Sequence, residues 1–237
     1  MPSDPRTRDE LLEAMRQRAC PICVLVERAE RKEVDMFLYD QVNDISRRDA
    51  LRASRGLCEY HTSLLAEGRS ALGIAIVSRD VLRAMTAELE QAAKARKSEG
   101  FFSFGMNALA SVGKTLAAKI GPQVPCPMCA ERSKIEEPLI AGLLQNIGDP
   151  AFAAAYDASA GLCRVHLAGT LAAADSATVR DLAARQAAMW RRLEAELDEF
   201  IRKHDYRFTG EGLTENERDI WRRALALTSG WHEEVEN

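Results

Sequence analysis

Cys20-Pro21-Ile22-Cys23 and Gly56-Leu57-Cys58-Glu59-Tyr60-His61 recur as Cys126-Pro127-Met128-Cys129 and Gly161-Leu162-Cys163-Arg164-Val165-His166. Read along the chain, the ligand spacing is C-x2-C-x34-C-x2-H in the first copy and C-x2-C-x33-C-x2-H in the second. Together the copies take up all 6 cysteines and two of the 4 histidines, so none of the thiols stands outside the pattern. Thiolates and imidazole at two-residue spacing suit a tetrahedral zinc ion or an iron–sulfur cluster. The metal ligands expected are Cys20, Cys23, Cys58 and His61 at one site, and Cys126, Cys129, Cys163 and His166 at the other.

The same spacing suggests where these residues sit. Positions i and i+3 share a helix face. Pro21 and Pro127 suit a first helical position, where the missing N–H costs nothing. Cys20 and Cys126 then fall near an N-cap, with Cys23 and Cys129 in the first turn, where the helix dipole favours thiolate. Gly56 and Gly161 fit turns that enter the Cys-x2-His pairs. Six inert buried cysteines would have no reason to repeat at these spacings. Disulfides would need an oxidising compartment and leave one cysteine of three unpaired in each copy. Haem attachment is excluded, because neither CPIC nor CPMC is followed by histidine.

The repeat extends beyond the ligands. An offset of 106 residues superposes Cys20 on Cys126 and Glu30 on Glu136, and after a one-residue deletion the offset 105 superposes Asp44 on Asp149 and His61 on His166. Internal duplication predicts two similar halves about a pseudo-twofold axis. The expected organisation is a first metal-binding repeat at 1–99, a linker or amphipathic segment at 100–124, a second repeat at 125–204 and a helical extension at 205–237. Within each half, a zinc ion or cluster would join the start of the CPxC helix to the start of the CxxH helix.

Residues of one face step three or four at a time, as in Ile74, Val77, Val81, Met85 and Leu89, or Val179, Leu182, Gln186, Trp190, Leu193, Leu197 and Phe200, all of them apolar except Gln186. Alternating strand patterns are scarce, so the fold is expected to be all-α, a duplicated helical bundle. Thr7-x-x-Glu10 and Thr214-x-x-Glu217 read as capping boxes, and Ser176 as the cap of a long helix. Ala108-x4-Gly113-Lys114-Thr115 resembles a phosphate-binding loop, but a helical stripe of Leu109, Val112, Leu116 and Ile120 runs through it and no strand precedes it. Phe101, Phe102 and Phe104 before that stripe suggest core packing or a linker between halves. Arg47, Arg48, Arg52 and Arg55 read as a solvated face or an anion-receiving patch.

The chain resembles an uncharacterised bacterial family, a domain of unknown function that carries CPxC…GLCxxH in duplicate. The resemblance includes Asp205-Tyr206-Arg207-Phe208 and Trp221-Arg222-Arg223-Ala224 and spans essentially the whole chain. It implies metal ligation at the eight residues named above and no reaction.

With 237 residues, 46% of them hydrophobic, the chain can bury one large core or two smaller ones. A net charge of -4 and a pI of about 5.7 argue against nucleic acid as a partner. No apolar run reaches the length of a membrane span. The N-terminal residues lack an export signal, and reduced cysteines fit the cytoplasm. Four protein ligands close a tetrahedral site. Two zinc ions in a non-enzymatic scaffold that binds another protein is therefore the leading functional expectation. Two iron–sulfur clusters, or zinc thiolates released on oxidation, in a redox or electron-transfer protein are the alternative. No catalytic residue is assigned, since neither an open metal site nor a Ser/His/Asp arrangement is readable and His204 and His232 are the only other histidines.

Overall fold

The computed structural model describes residues 4–68, 70–98, 106–208 and 210–230. Phe101, Phe102, Phe104 and His232 lie outside them. The described residues form helices joined by turns and short irregular segments, with no strand, in agreement with the expected fold class. The helices are α1 (Pro5–Ala14), α2 (Pro21–Met36), α3 (Ile45–Ala53), α4 (Glu59–Glu67), α5 (Ala71–Ser98), α6 (Met106–Ile120), α7 (Pro127–Asn146), α8 (Pro150–Ala158), α9 (Arg164–Ala173), α10 (Ser176–Lys203), α11 (Glu215–Arg218) and α12 (Ile220–Ser229). A π-helical turn, Phe37–Gln41, continues α2. Among the described residues no helix is long and apolar enough to cross a membrane.

Two compact units form, and they do not follow the order of the sequence copies. One comprises Met1–Arg28 together with Ile135–Asn237, the other Ala29–Lys134. The boundaries fall inside α2 and inside α7. In α7 the boundary adjoins the site where Pro138 removes the hydrogen bond that Lys134 carbonyl would otherwise accept.

The first unit is centred on Leu11, Ile22, Val26, Leu143, Phe152, Tyr156, Leu162, Leu182 and Leu227. The second is centred on Val34, Phe37, Leu51, Leu64, Val77 and Met128. Each such side chain taken from water contributes roughly 1.5–3 kcal/mol. The apolar residue after each CPxC proline is decisive: Ile22 belongs to the first core and Met128 to the second. These two anchors fix which core receives the thiols beside them.

Several helix starts differ from expectation by a few residues. α1 is capped by Asp4, whose side chain accepts from the Arg6 N–H, with Pro5 at its first position. An Asp-Pro pair is the stronger start signal, so Thr7 lies inside α1 with its methyl against Gly142. Likewise Asp175, not Ser176, caps α10 by accepting from the Ala177 and Thr178 N–H groups. The Thr214–Glu217 capping box does form, but it opens the short α11 rather than α12. The phosphate-loop match lies within α6, which leaves no loop to cradle an anion. The arginine run is not an open patch: Arg48 and Arg52 converge on the buried Asp80, Arg47 pairs with Glu33, and Arg55 donates to the Lys119 carbonyl.

The two glycine turns share a left-handed backbone but not their surroundings. Gly161 has φ +75° and Gly56 φ +102°. Gln186, buried on α10, clamps the first turn: its Oε1 accepts from the Leu162 N–H at 3.0 Å and from the Tyr156 hydroxyl at 2.6 Å, while its Nε2 donates to the Leu162 carbonyl at 3.1 Å. A Cβ on Gly161 would come within 2.6 Å of Gln186, whereas one on Gly56 would meet no atom within 4 Å. Gly161→Ala should therefore cost about 3 kcal/mol or more, from backbone strain plus the lost clamp, and Gly56→Ala about 1–2 kcal/mol from strain alone. Urea unfolding followed by helical circular dichroism reads the difference. Equal losses would show that Gln186 does not fix the turn.

Candidate metal centres

Each Cys-x2-Cys or Cys-x2-His pair occupies the same two places on a helix. The Cys20, Cys58, Cys126 and Cys163 carbonyls accept the first helical hydrogen bonds, from Val24, Thr62, Ala130 and Leu167. These four cysteines are thus N-cap residues, and Cys23, His61, Cys129 and His166 stand three positions on, in the first turn. At Cys163 the sulfur also accepts from the His166 N–H at 3.5 Å, as a serine or aspartate cap would. The proline placement expected from the sequence holds, with Pro21 and Pro127 opening α2 and α7.

The eight residues gather into two groups that could each hold a metal ion. In each, the ligand atoms lie within 4.8 Å of one another. The first group is Cys20, Cys23, Cys163 and His166, and the second is Cys58, His61, Cys126 and Cys129. Each compact unit contains one quartet. The expected pairing within each sequence copy is overturned: the CPxC pair of one copy meets the CxxH pair of the other. The cause is packing. Ile22 and Val26 share a core with Phe152 and Leu162, which brings the start of α2 to the start of α9. Met128 shares the other core with Val34 and Leu64, which brings the start of α7 to the start of α4.

In the first quartet the His166 Nδ1 lies 3.1 Å from Cys23 Sγ, 3.3 Å from Cys163 Sγ and 3.6 Å from Cys20 Sγ, and the Cys23 and Cys163 sulfurs are 3.6 Å apart. In the second the His61 Nδ1 lies 3.2, 3.5 and 3.8 Å from the sulfurs of Cys58, Cys129 and Cys126, and the Cys58 and Cys129 sulfurs are 3.7 Å apart. A tetrahedron with metal–sulfur bonds of about 2.3 Å and metal–nitrogen bonds of about 2.0 Å has edges of about 3.8 and 3.5 Å. The donor set and its spacing fit one tetrahedral ion per quartet.

The far side of each imidazole is held by a carboxylate that sequence reasoning left without a role. His61 Nε2 lies 2.9 Å from Glu30 Oε1, and His166 Nε2 lies 3.3 Å from Glu136 Oε1. Glu30 is itself buried and accepts from the Tyr60 hydroxyl at 2.8 Å, with Arg132 at 3.4 Å. A carboxylate accepting from Nε2–H leaves Nδ1 as the ring atom that faces the thiols, where a metal would take the place of its proton. The signal was present in the offset of 106 that superposes Glu30 on Glu136.

The electrostatics polarise each cluster. The Cys163 thiol is held far below its usual range by hydrogen bonds from Cys20 and Cys23, and Cys23 is raised by the same contact with Cys163, then by Cys20. The His166 imidazole rises to about 11: burial opposes its charge, and Cys163, Cys20 and Glu136 prevail. In the second quartet burial pushes Cys58 up, but the His61 N–H, its ring and Cys129 bring the thiol down to about 7. Cys129 is pushed up to about 12 by burial and by the neighbouring Cys58 and Cys126. Each cluster thus sets one lowered thiol against one raised thiol, and a cation bound among them would favour the thiolate form of all three. His204 has no part in either cluster: it ends α10, with its Nδ1 2.8 Å from the Phe200 carbonyl.

No solved structure matches this chain. A protein of Caldicellulosiruptor sp. (strain Rt8B.4), named "Uncharacterized 23.9 kDa protein in xynA 3'region", is 25% identical over 224 residues, which cover 93% of this chain and 99% of that relative. Residues 10–235 match the model of DUF6062, a family of unknown function, and the chain belongs to that family.

Proposed function

We propose that this protein is a non-enzymatic helical scaffold for a protein partner in the cytoplasm, with one zinc ion in each quartet. The observation that carries the reading is the closed geometry: three sulfurs and one carboxylate-oriented imidazole at tetrahedral spacing in each unit. Four protein donors leave no coordination position for water or substrate, which is the arrangement of structural rather than catalytic zinc. The compactness of each quartet also favours a single ion over an iron–sulfur cluster. A cluster spreads its ligands over at least two irons and so holds them further apart than ligands on one metal. Elsewhere among the described residues no further group of histidine, cysteine and acidic side chains has metal-site geometry. Zinc would balance the thiolates at each pair of helix starts, and its binding energy would be folding energy, on the order of 10 kcal/mol per site.

The crossed arrangement gives a test by metal counting. Cys20→Ser/His166→Ala removes two ligands of one quartet and should leave about one zinc per chain. Cys20→Ser/His61→Ala strikes both quartets and should leave none. Elemental analysis of anaerobically purified protein reads both, and the opposite pattern would restore the pairing within each copy. Visible absorbance in the wild-type protein would instead signal iron–sulfur and defeat the zinc reading.

The oriented histidines give a second test. Glu136→Gln should weaken zinc binding at the His166 quartet by roughly 10–100-fold and Glu30→Gln that at the His61 quartet, since an outer carboxylate has about that influence. Competition with a chromophoric chelator measures each site. Unchanged affinity in both variants would remove the carboxylates from the metal chemistry.

A further inference from the structure

The two quartets have the same donors but different access. Cys20, Cys23 and Cys163 are 0%, 4% and 0% exposed, while Cys58, Cys126 and Cys129 are all partly exposed. The difference arises from what covers each turn. Gln186 closes over Gly161, and the end of α12 lies across Cys163: Arg164 donates to the Thr228 carbonyl at 2.9 Å, and a Cβ on Gly230 would stand 3.7 Å from Cys163 Sγ. At the other quartet the space around Gly56, two residues before Cys58, is open. The sulfurs of Cys58 and Cys129 are 3.7 Å apart and belong to two different helix starts.

We propose that the quartet of Cys58, His61, Cys126 and Cys129 is a peroxide-sensitive site, where oxidation joins Cys58 to Cys129 and expels the metal while the buried quartet keeps its own. This rests on the zinc reading above. The oxidant is hydrogen peroxide. The Cys58 thiolate attacks one peroxide oxygen, the O–O bond breaks, and hydroxide leaves as the sulfenic acid forms. The Cys129 thiolate then attacks the Cys58 sulfur and displaces a second hydroxide, forming the disulfide. Two thiolates have given two electrons to one peroxide. With two of its four donors gone, zinc departs from His61 and Cys126. The sulfurs need approach only from 3.7 Å to about 2 Å. Exposure decides which of two like donor sets oxidises first, and only this quartet has its sulfurs within reach of solvent.

The experiment uses the full-length protein carrying two zinc ions, treated with hydrogen peroxide. Released zinc is read with a chromogenic chelator, and cysteines are mapped by differential alkylation and mass spectrometry. The first equivalent should leave at least about tenfold faster than the second, with a Cys58–Cys129 disulfide that dithiothreitol and zinc reverse. Release of both equivalents together, a first disulfide between any other pair, or early modification of Cys20, Cys23 or Cys163 would overturn the proposal. Fewer than two zinc ions per chain before peroxide is added would instead refute the zinc reading, and that count is made first.

Discussion

Two helix N-termini directed into one small volume are an unfavourable arrangement unless something negative lies between them. Each carries unpaired N–H groups and about half a positive charge. Here each meeting point holds three sulfurs and an imidazole supplied by the first turns themselves: α2 with α9 in one unit, α4 with α7 in the other. Thiolates would satisfy the helix ends but repel one another, and without a cation the sulfurs share protons instead, Cys163 lowered and Cys23 raised by the hydrogen bond between them. A divalent cation would resolve the second problem without undoing the first. The remaining structure then has the task of bringing the right pair of helix starts together.

Core packing performs that task, and it does so crosswise. Cys20 and Glu30 are ten residues apart on α2, about 15 Å along a helix, too far to serve one ion. Accordingly α2 gives thiols to one quartet and the carboxylate behind His61 to the other, and α7 does the reverse with Cys126, Cys129 and Glu136. Each CPxC helix thus takes part in both centres. A chain folded in this way cannot complete either quartet from one sequence copy alone.

The eight cluster residues, the N-cap position of Cys20 and Cys126 and the all-helical class were legible in the sequence, because N-cap geometry and helical period are local and leave marks at fixed spacings. The crossing was not. The spacing C-x2-C and C-x2-H is the same whichever pairs meet, and the choice lies in whether Ile22 and Met128 join one core or the other. The misplaced caps at Thr7 and Ser176 have a different origin: an adjacent aspartate made the better hydrogen bond in each case. The arginine run near Arg48 was legible as charge but not as structure, since its partner Asp80 lies on another helix.

The two quartets share their donor types and differ in their settings. Gln186 and α12, which seal the Cys163 quartet, come from the sequence after the second CxxH pair. No ligand pattern records that difference, because it concerns what stands against the ligands and not the ligands themselves. Sealing also rigidifies. The Leu162 N–H and carbonyl are both held by one buried amide, so the backbone beside Cys163 has little freedom to shift. Beside Cys58 the corresponding turn is braced by Ser54, whose hydroxyl donates to the Gly56 carbonyl at 2.7 Å, a local contact within the turn that moves with it. Identical donor sets can therefore differ in how readily they open, through the anchoring of the turn that delivers one sulfur.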